Sequence, residues 1–419
     1  MIKLLWKNWD LITILSDLIK QSKREMIINS IENVENKINV LVSFGTRPEG
    51  IKLAPVIKVL ERDQQRFKLT ICSTGQHREM LDQVIDFFEI KPDIFLNIMT
   101  ENQTLESLSA GVLQNMEKVL ANISPDILIV QGDTTTAFLT ALSAYYKKIK
   151  ICHIEAGLRT YNKYNPFPEE INRQLTSRIA DFNFTPTEKS KNNLINEGIN
   201  PDTIFLTGNT VVDALKWGIE KIKSRQADIE KKSIFKRISG ADCEKIILVT
   251  MHRRESFGEE LKNVCIALKK VAEENKYLKI VYPVHLNPNI KKPVYSLLSG
   301  LDNIILMEPL CYEDFLWVMH RSYLVITDSG GVQEEAPTLK KPVLVIRKFT
   351  ERSESVEMGI SKLIGTEKGA IIKEISLLLN NENEYKKMIA VSNPYGDGRA
   401  SEKIISIIAN EYNRSDSIK

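Results

Sequence analysis

The feature that most constrains the fold of this chain is a repeated alternation of short apolar runs with longer segments of helical spacing. The alternation begins at Ile38 and continues almost to the end of the chain. In the first half, the predicted strands are Ile38–Phe44, Leu69–Ser73, Ile127–Val130, Ile151–Ile154 and Ile204–Leu206. The helical spacing between them covers Leu53–Leu60, Met80–Phe88, Leu105–Leu120 and Ala137–Tyr146. This order predicts a parallel sheet that helices cover on both faces.

A charged, helix-prone stretch over residues 214–243 interrupts this alternation and is typical of a solvated connection between domains. Beyond it, the predicted strands are Ile246–Thr250, Leu278–Tyr282, Ile304–Met307, Leu324–Thr327 and Val343–Ile346. We therefore predict an α/β fold of two Rossmann-like, doubly wound domains with parallel sheets facing a central cleft. The predicted divisions are a helical extension (1–36), an N-terminal domain (37–212), a C-terminal domain (213–392) and a last helix packing back on the N-terminal domain (393–419).

Charge and cysteine content narrow the functional classes. The formal net charge of +3 is too small to indicate a nucleic-acid-binding protein. The 5 cysteines are scattered, which disfavours a disulfide framework and favours a reducing cytoplasm. No apolar run in residues 1–36 approaches the roughly 20 residues that span a bilayer, so no transmembrane segment is expected there. The alternatives for that stretch are packing on the body or a partner, a translated upstream region, or peripheral membrane attachment through Trp6 and Trp9.

A turn after the first predicted strand is a candidate anion site. Gly45 permits a tight turn and Pro48 suits the first turn of a helix, so Arg47 is expected beside a helix N-terminus. Lys52 lies about one turn further along. The alternative is an ordinary strand–helix turn with a solvated arginine. The turn is not G-x-G-x-x-G, so NAD binding gains no support, and no cofactor is predicted.

A second glycine-containing turn follows the predicted strand Leu324–Thr327. In Ser329-Gly330-Gly331, small residues leave backbone N–H groups open to a diphosphate. Glu335 falls about one helical turn later, where a carboxylate can accept hydrogen bonds from both hydroxyls of a ribose. We predict nucleotide binding here, with a plain loop as the alternative.

Carboxylates stand at the ends of successive predicted strands. Asp133 follows the strand that begins at Ile127 and is a candidate either for catalysis or for a helix N-cap. Glu155 ends an otherwise apolar strand, where a charged side chain is costly unless it is paired or used. Glu169 and Glu170 begin a predicted helix, where acids commonly just complement the helix dipole. Acids at two successive strand ends, with a third site in the loop that follows, are harder to explain as structural residues together than each is alone.

Basic residues mark two further strand ends in the second half. His252 and Arg253 follow the strand Ile246–Thr250 and suggest a phosphate site, with a solvated basic turn as the alternative. Arg352 follows the strand Val343–Ile346 and is expected either in the cleft or in a surface salt bridge. The other histidines lack metal-ligand spacing, so no metal is predicted, and His153 is expected to be a satisfied core residue.

The ordered motifs resemble those of the non-hydrolysing UDP-N-acetylglucosamine 2-epimerases of bacteria and archaea. The resemblance runs from about Ile38 to the last helix. It rests on FGTRPEGIK, QHREMLDQV, GDTTT, HIEAGLRT, PFPEEINR, TGNTVVDAL, HRRESFG, YPVHLNP, TDSGGVQEEAP, KPVLV, TER and NPYGDGRAS. It implies a glycosyltransferase-B-like fold, a homodimer, and no NAD or catalytic metal. The implied reaction interconverts UDP-N-acetylglucosamine and UDP-N-acetylmannosamine through elimination of UDP to 2-acetamidoglucal and re-addition, and feeds cell-surface polysaccharide synthesis.

The resemblance also implies roles for residues at matching positions. The implied catalytic residues are Asp133, Glu155, Glu169 and His252. The implied substrate contacts are Arg47, Lys52, Phe315 near the uracil, Ser329, Gly330, Gly331, Glu335 and Arg352. A second UDP-N-acetylglucosamine is implied as an activator, in a region that contains Gln76, His77, Glu170, Arg253 and His285.

This sequence departs from the family pattern at several positions. Asn165 stands where serine is common, Ser353 where proline is usual, and Lys348-Phe349 replaces a typical Asp-Thr. Leu310 stands where relatives often have glutamine or another residue near the uracil. The alternatives to epimerisation are a hydrolysing 2-epimerase, a glycosyltransferase on the same fold, and a UDP-sugar sensor without turnover.

Overall fold

The computed structural model describes residues 37–75, 78–99, 103–238, 245–253 and 257–416. Within these ranges the chain forms two parallel sheets, one in each half, with helices on both faces. This confirms the predicted fold class. The predicted extension over residues 1–36 lies outside the described residues, and the predicted domain limits stay predictions.

The first described sheet has seven strands in the order β3-β2-β1-β4-β5-β6-β7. Its strands are β1 (Ile38–Phe44), β2 (Phe67–Ser73), β3 (Ile94–Phe95), β4 (Ile127–Gln131), β5 (Lys150–Ile154), β6 (Phe182–Thr185) and β7 (Ile204–Leu206). The order reverses between β1 and β4, so the loops after these two strands diverge and open a crevice at their carboxyl ends. The strands β3 and β6 were not predicted from the sequence.

The second described sheet has six strands in the order β10-β9-β8-β11-β12-β13. Its strands are β8 (Lys245–Thr250), β9 (Leu278–Pro283), β10 (Ile304–Met307), β11 (Leu324–Thr327), β12 (Val343–Val345) and β13 (Ser361–Leu363). Here the order reverses between β8 and β11, which pair in register from Leu324 with Ile247 to Thr327 with Thr250. The last strand, β13, was not predicted.

The helices of the first half cover the seven-stranded sheet. They are α1 (Arg47–Arg62), α2 (Arg78–Phe88), α3 (Leu105–Ile123), α4 (Thr135–Tyr146), α5 (Glu169–Ile179), α6 (Glu188–Asn196) and α7 (Thr210–Ser224). The helix α1 begins at Arg47, ahead of the predicted Leu53–Leu60. Its first turn is polar, so apolar spacing does not mark it. The Glu49 carboxylate fixes this start by accepting the backbone N–H groups of Gly45 and Thr46 at 3.0 and 2.7 Å.

The remaining helices cover the six-stranded sheet and then return to the first one. They are α8 (Gln226–Lys231), α9 (Ser233–Ile238), α10 (Glu259–Glu274), α11 (Pro288–Leu298), α12 (Tyr312–Arg321), α13 (Gly330–Glu335), α14 (Ser353–Glu357), α15 (Lys368–Asn380), α16 (Glu382–Ala390) and α17 (Ala400–Asp416). The helix α7 packs against α1 on one side and α12 on the other, and α17 packs on α1 and α7. Within the described ranges, every helix is too short or too polar to span a bilayer.

Candidate active site

A cavity of about 370 Å³ lies where the carboxyl end of β1 meets those of β8 to β11. Ligands of open parallel sheets bind at such strand ends. Its lining residues are Arg47, Pro48, Ile51, Lys52, Val211, Thr250, Met251, His252, Pro283, His285, Pro309, Leu310, Tyr312, Phe315, Ser329, Gly331, Val332 and Glu335. The cavity thus brings together residues predicted from separate motifs in both halves of the chain.

The first-domain wall of the cavity is the start of α1. Arg47 is half-buried, and Lys52 is buried one turn further along the same helix. Glu49 is also buried, and it accepts a hydrogen bond from the Thr134 hydroxyl at 2.7 Å in addition to its backbone contacts. The start of α1 is therefore tied to the loop after β4, and Arg47 is held at the cavity wall.

The second-domain wall contains the predicted diphosphate loop. The Ser329 N–H donates to the Thr327 hydroxyl at 2.9 Å, which leaves the loop tightly turned. A Cβ at Gly331 would meet no other atom within 4 Å, so this part of the loop is open. A Cβ at Gly330 would lie 2.9 Å from Arg352 Cζ, so a glycine there lets the guanidinium approach the loop backbone.

Four charged side chains with little solvent exposure form ion pairs between the two domains beside this cavity. Lys52 Nζ contacts both Glu155 oxygens at 2.6 Å and lies 3.2 Å from Glu334 Oε2. Arg352 Nε donates to Glu334 Oε1 at 2.9 Å, and another guanidinium nitrogen lies 3.9 Å from Glu155. The Arg352 side chain is 11% exposed, so the predicted alternative of a surface salt bridge is wrong. Glu334 was not predicted, because its pairing with Lys52 of α1 depends on the contact between the two domains.

Burial and pairing act in opposite directions on these carboxyl groups. Burial raises the pKa of Glu155, although the nearby Lys52 opposes this. Burial alone would raise the pKa of Glu334 too, but Lys52 and Arg352 together hold it below its usual range. Glu155 is saturated with donors, because Gln131 and Asn209 also donate to it. The four charges form a compensated cluster that closes one end of the cleft.

Another carboxylate, Glu351, contacts three neighbouring arginines. Its oxygens accept from Arg352 at 2.5 Å, from Arg347 at 2.8 Å and from Arg253 at 3.3 Å. Burial would raise the pKa of Glu351, but these three guanidinium groups hold it far below its usual range. Arg253, predicted for an effector site, is thereby linked to Arg352, predicted for the substrate. Glu351 itself was not predicted as a site residue.

His252 stands on the cavity wall in contact with the buried Asp328. Its Nδ1 lies 3.0 Å from Asp328 Oδ1, and Asp328 also accepts the backbone N–H groups of His252 and Arg253 at 2.9 Å. Burial would raise the pKa of Asp328, but these contacts lower it below its usual range. The His252 side chain is 46% exposed, so its other face is open to a ligand. The ring of His285 is 6.4 Å away, between centroids.

The remaining predicted acids lie together on the first domain. Arg173 pairs with Asp133 and lies 3.4 Å from Glu170. The hydroxyl that caps α4 belongs to Thr134, which accepts from the Ala137 N–H at 3.0 Å, so the alternative in which Asp133 is the N-cap is wrong. Glu169 opens α5, and burial raises its pKa, helped by the negative charge of Asp133 and opposed by Arg173 and by Arg253 from the second domain. These acids therefore face the second domain.

Glu170 serves the local structure of its loop. It is fully buried, and its two oxygens accept the backbone N–H groups of Thr160 and Tyr161 at 3.0 Å. The loop before Glu169 is held in place by these bonds. The other two residues of the predicted effector region, Gln76 and His77, lie outside the described residues. The effector prediction therefore stays a prediction.

The part of the cavity for which a nucleoside was predicted is lined by apolar side chains together with the Glu335 carboxyl and the Tyr312 hydroxyl. Phe315 and Leu310 line it, close to where the uracil was predicted. Glu335 is buried, and burial raises its pKa to about 7, with Arg47 opposing. The hydroxyl of Tyr312 lies 3.3 Å from Glu335 Oε1. His153, by contrast, contacts Ser177 and the Gly132 carbonyl at 3.1 and 2.8 Å, which confirms a satisfied core residue.

Metal-ligand types do not converge anywhere in the described part of the chain. Across its ranges, no group of three or more His, Cys, Asp or Glu side chains is placed to hold a metal ion. The residues of the cavity can bind an anion through cations and open backbone N–H groups. Among them, the carboxyl of Glu335 can also accept hydrogen bonds from hydroxyls, whereas the predicted acids Asp133 and Glu169 lie outside the lining.

Comparison with known proteins places these features in a family. Residues 58–409 match the family model described as UDP-N-acetylglucosamine 2-epimerase. The UDP-N-acetylglucosamine 2-epimerase of Campylobacter jejuni is 54% identical over 372 residues, which are 88% of this chain and 97% of that protein.

Solved structures agree. The crystal structure of the UDP-GlcNAc 2-epimerase from Neisseria meningitidis bound to UDP-GlcNAc has a TM-score of 0.84 and 46% identity, covering 89% of this chain and 100% of that one. The Methanocaldococcus jannaschii enzyme, in complex with UDP-GlcNAc and UDP, has a TM-score of 0.74 and 34% identity over 89% of this chain and 100% of that one.

Proposed function

This chain belongs to the UDP-N-acetylglucosamine 2-epimerase family, and from that premise we propose that it interconverts UDP-N-acetylglucosamine and UDP-N-acetylmannosamine. It is an isomerase. The observation that carries the proposal is the cavity at the strand ends, which residues of both domains line and which contains the predicted anion-binding residues Arg47, His252, Ser329 and Gly331. The product would supply cell-surface polysaccharide synthesis.

The lining of the cavity suggests how the substrate lies. The uracil packs near Phe315 and Leu310, and the ribose hydroxyls donate to Glu335. The diphosphate contacts the open loop at Ser329–Gly331 and the side chains of Arg47 and His252. This placement directs the sugar away from the nucleoside end, toward Asp133 and Glu169.

The chemistry requires the leaving group to be stabilised first. The hydrogen at C2 of the sugar is weakly acidic, so its removal is easier when negative charge develops on a diphosphate surrounded by preorganised cations. His252 suits this task because Asp328 fixes its ring while its opposite face stays open. Loss of UDP from C1 and of the proton from C2 gives 2-acetamidoglucal. Re-addition of UDP after protonation on the other face gives the epimer.

Inversion needs proton carriers on two faces of the ring, and the three predicted acids are not equally available. Glu155 is enclosed by Lys52 and two amides, so we assign it to holding Lys52 and Arg352 in place. The Asp133 side chain retains 27% exposure, Glu169 is half-buried, and the charge of Asp133 contributes to the raised pKa of Glu169. We assign the two proton transfers to Asp133 and Glu169, with Arg173 holding Asp133.

We further propose a homodimer. On α5, Ile171 and Leu175 are 38% and 43% exposed at helical spacing, and Phe167 beside them is 60% exposed. Such an apolar patch next to the catalytic loop favours self-association. Sedimentation of wild-type protein is expected to show a dimer that Leu175→Glu dissociates. An unchanged dimer in this variant would exclude α5 from the interface.

We also propose that a second UDP-N-acetylglucosamine activates the enzyme, through His285 on the cavity wall and through Arg253, which contacts Glu351. The initial rate should rise sigmoidally with substrate concentration, and Arg253→Gln should abolish this curvature. A hyperbolic curve in the wild type would contradict the proposed activator. The expected location, a reducing cytoplasm, stays a prediction.

Turnover in D2O tests the reaction directly. NMR of UDP-N-acetylglucosamine with the pure protein should show deuterium at C2 in both epimers. Free N-acetylmannosamine as the main product would indicate hydrolysis, and an unchanged spectrum would indicate a sensor without turnover. Asp133→Asn and Glu169→Gln should lose at least a hundredfold in exchange rate while still binding the substrate. The matched controls are Asp228→Asn and Glu117→Gln, both at exposed sites outside the cavity.

A further inference from the structure

An aromatic cluster joins the two domains beneath the nucleoside end of the cavity. The ring of Tyr312, at the start of α12, lies 5.5 Å from that of Phe87 and 5.7 Å from that of Phe88, between centroids. Both phenylalanines end α2, a helix of the first domain. Trp217 of α7 stacks on Phe88 at 5.0 Å. Rings at these distances and angles attract one another, so the cluster fixes the position of Tyr312.

The helices of this cluster approach unusually closely. A Cβ at Gly218 on α7 would lie 2.6 Å from Leu316 Cδ1 and 3.5 Å from Phe87 Cε1. A larger residue would push α12 and α2 away from α7. The absence of a side chain at this position lets the three helices share one contact, and Tyr312 is 2% exposed as a result.

The polar end of Tyr312 points to the opposite side, at the nucleotide site. Its hydroxyl is 3.3 Å from Glu335 Oε1, and both residues line the cavity. We propose that Tyr312 is a positioning residue for Glu335, so that helix α2 of the first domain helps to build the ribose site of the second. This inference rests on the proposed function in taking the ribose as the ligand of Glu335.

The hydrogen bond from Tyr312 affects whether Glu335 is ionised, and the ionised form is the better acceptor for the ribose. Burial raises the pKa of Glu335 to about 7, and Glu334 adds to this, whereas Arg47, Lys52 and the Tyr312 hydrogen bond oppose it. A carboxylate can accept both ribose hydroxyls, but the protonated acid has one acceptor position fewer. The donated hydrogen bond favours the ionised form, and therefore favours nucleoside binding near neutral pH.

The test is Tyr312→Phe, which removes the hydroxyl and keeps the ring in the cluster. We expect an approximately tenfold higher KM for UDP-N-acetylglucosamine at pH 7 with kcat nearly unchanged, as for a lost hydrogen bond to a charged group. The fall of KM with rising pH should also move to higher pH than in the wild type. The matched control is Tyr323→Phe, which removes a hydroxyl that donates to the Leu378 carbonyl at 2.9 Å outside the cavity. Equal KM profiles in Tyr312→Phe and wild type would overturn the proposal.

A double-variant cycle separates positioning from general loosening. In a Glu335→Gln background, Tyr312→Phe should change KM less than twofold, because its partner no longer titrates. A full tenfold change in that background would mean that Tyr312 acts elsewhere, and would refute the proposal. Calorimetric titration with UDP-N-acetylglucosamine provides the same comparison without turnover. A wild type that binds but does not epimerise would overturn the proposed function and leave this inference standing.

Discussion

The buried carboxyl of Glu335 should make the folded protein less stable near neutral pH, where Glu335 is proposed to bind the ribose, than in weak acid. Its pKa in the folded chain is raised from the ordinary 4.5 to about 7 by burial, so the folded state holds the proton more tightly than the unfolded state. The stability that this provides is complete below pH 4.5 and is lost as the pH rises through about 7. At 1.36 kcal/mol per pH unit, the whole difference is about 3 kcal/mol.

The perturbation is Glu335→Gln, which keeps the shape and cannot ionise. The free energy of unfolding of the variant, relative to wild type, should rise by about 2.5 kcal/mol between pH 5 and pH 8.5. Urea unfolding of the unliganded protein, followed by circular dichroism across this range, measures it. The exposed Glu117→Gln is the control for removing one charge. Parallel curves for wild type and Glu335→Gln would refute the reasoning, because they would show that Glu335 ionises as it does in the unfolded chain.

Three further perturbations test the packing and charges around the site. Lys52→Met leaves Glu155 and Glu334 buried without their shared cation. Thermal unfolding should therefore show about 3 kcal/mol of destabilisation at pH 8 and less at pH 5. An equal loss of stability at both pH values would contradict the pairing. Gly157→Ala places a Cβ 2.2 Å from the Ser190 carbonyl oxygen at a backbone φ of +90°. We therefore expect at least about 2 kcal/mol of destabilisation in the same assay. Unchanged stability would show that the backbone relaxes. Gly330→Ala should displace the Arg352 guanidinium and raise KM severalfold in steady-state kinetics, and an unaltered KM would mean that this guanidinium is not needed where it lies.

The sequence was sufficient for the central strands of both sheets. Those strands are buried on both faces, so they appear as continuous apolar runs such as Ile127–Val130. The strands that were not predicted lack this signal. Ile94–Phe95 has two residues, Ser361–Leu363 carries an exposed lysine in its middle, and Phe182–Thr185 contains the buried Asn183. Their pairing depends on neighbouring strands that are distant in sequence.

The site was predictable where a motif and a strand end coincide. Arg47, Ser329 and Glu335 were located this way, and the cavity lining includes all three. The acids that pair with Lys52, Arg352 and His252 were not predictable. Glu334 and Asp328 stand within a quoted motif, but the residues beside them in sequence give no sign that Lys52 and His252, each more than seventy residues away, are their partners. Such pairing is decided by tertiary structure, and single-sequence patterns do not report it.

The return of the last helix to the first domain has a consequence for the order in which this protein can be completed. In α17, Ile404 and Ile408 are fully buried in one core with Leu53 and Ile57 of α1. During synthesis, those α1 residues are added to the chain more than three hundred residues before the helix that covers them. We expect the first domain to stay incompletely folded, with part of its core uncovered, until the second has been synthesised. We also expect a chain ending at residue 392 to be readily cleaved in limited proteolysis. The core beside the seven-stranded sheet is therefore completed by residues that lie near opposite ends of the described chain.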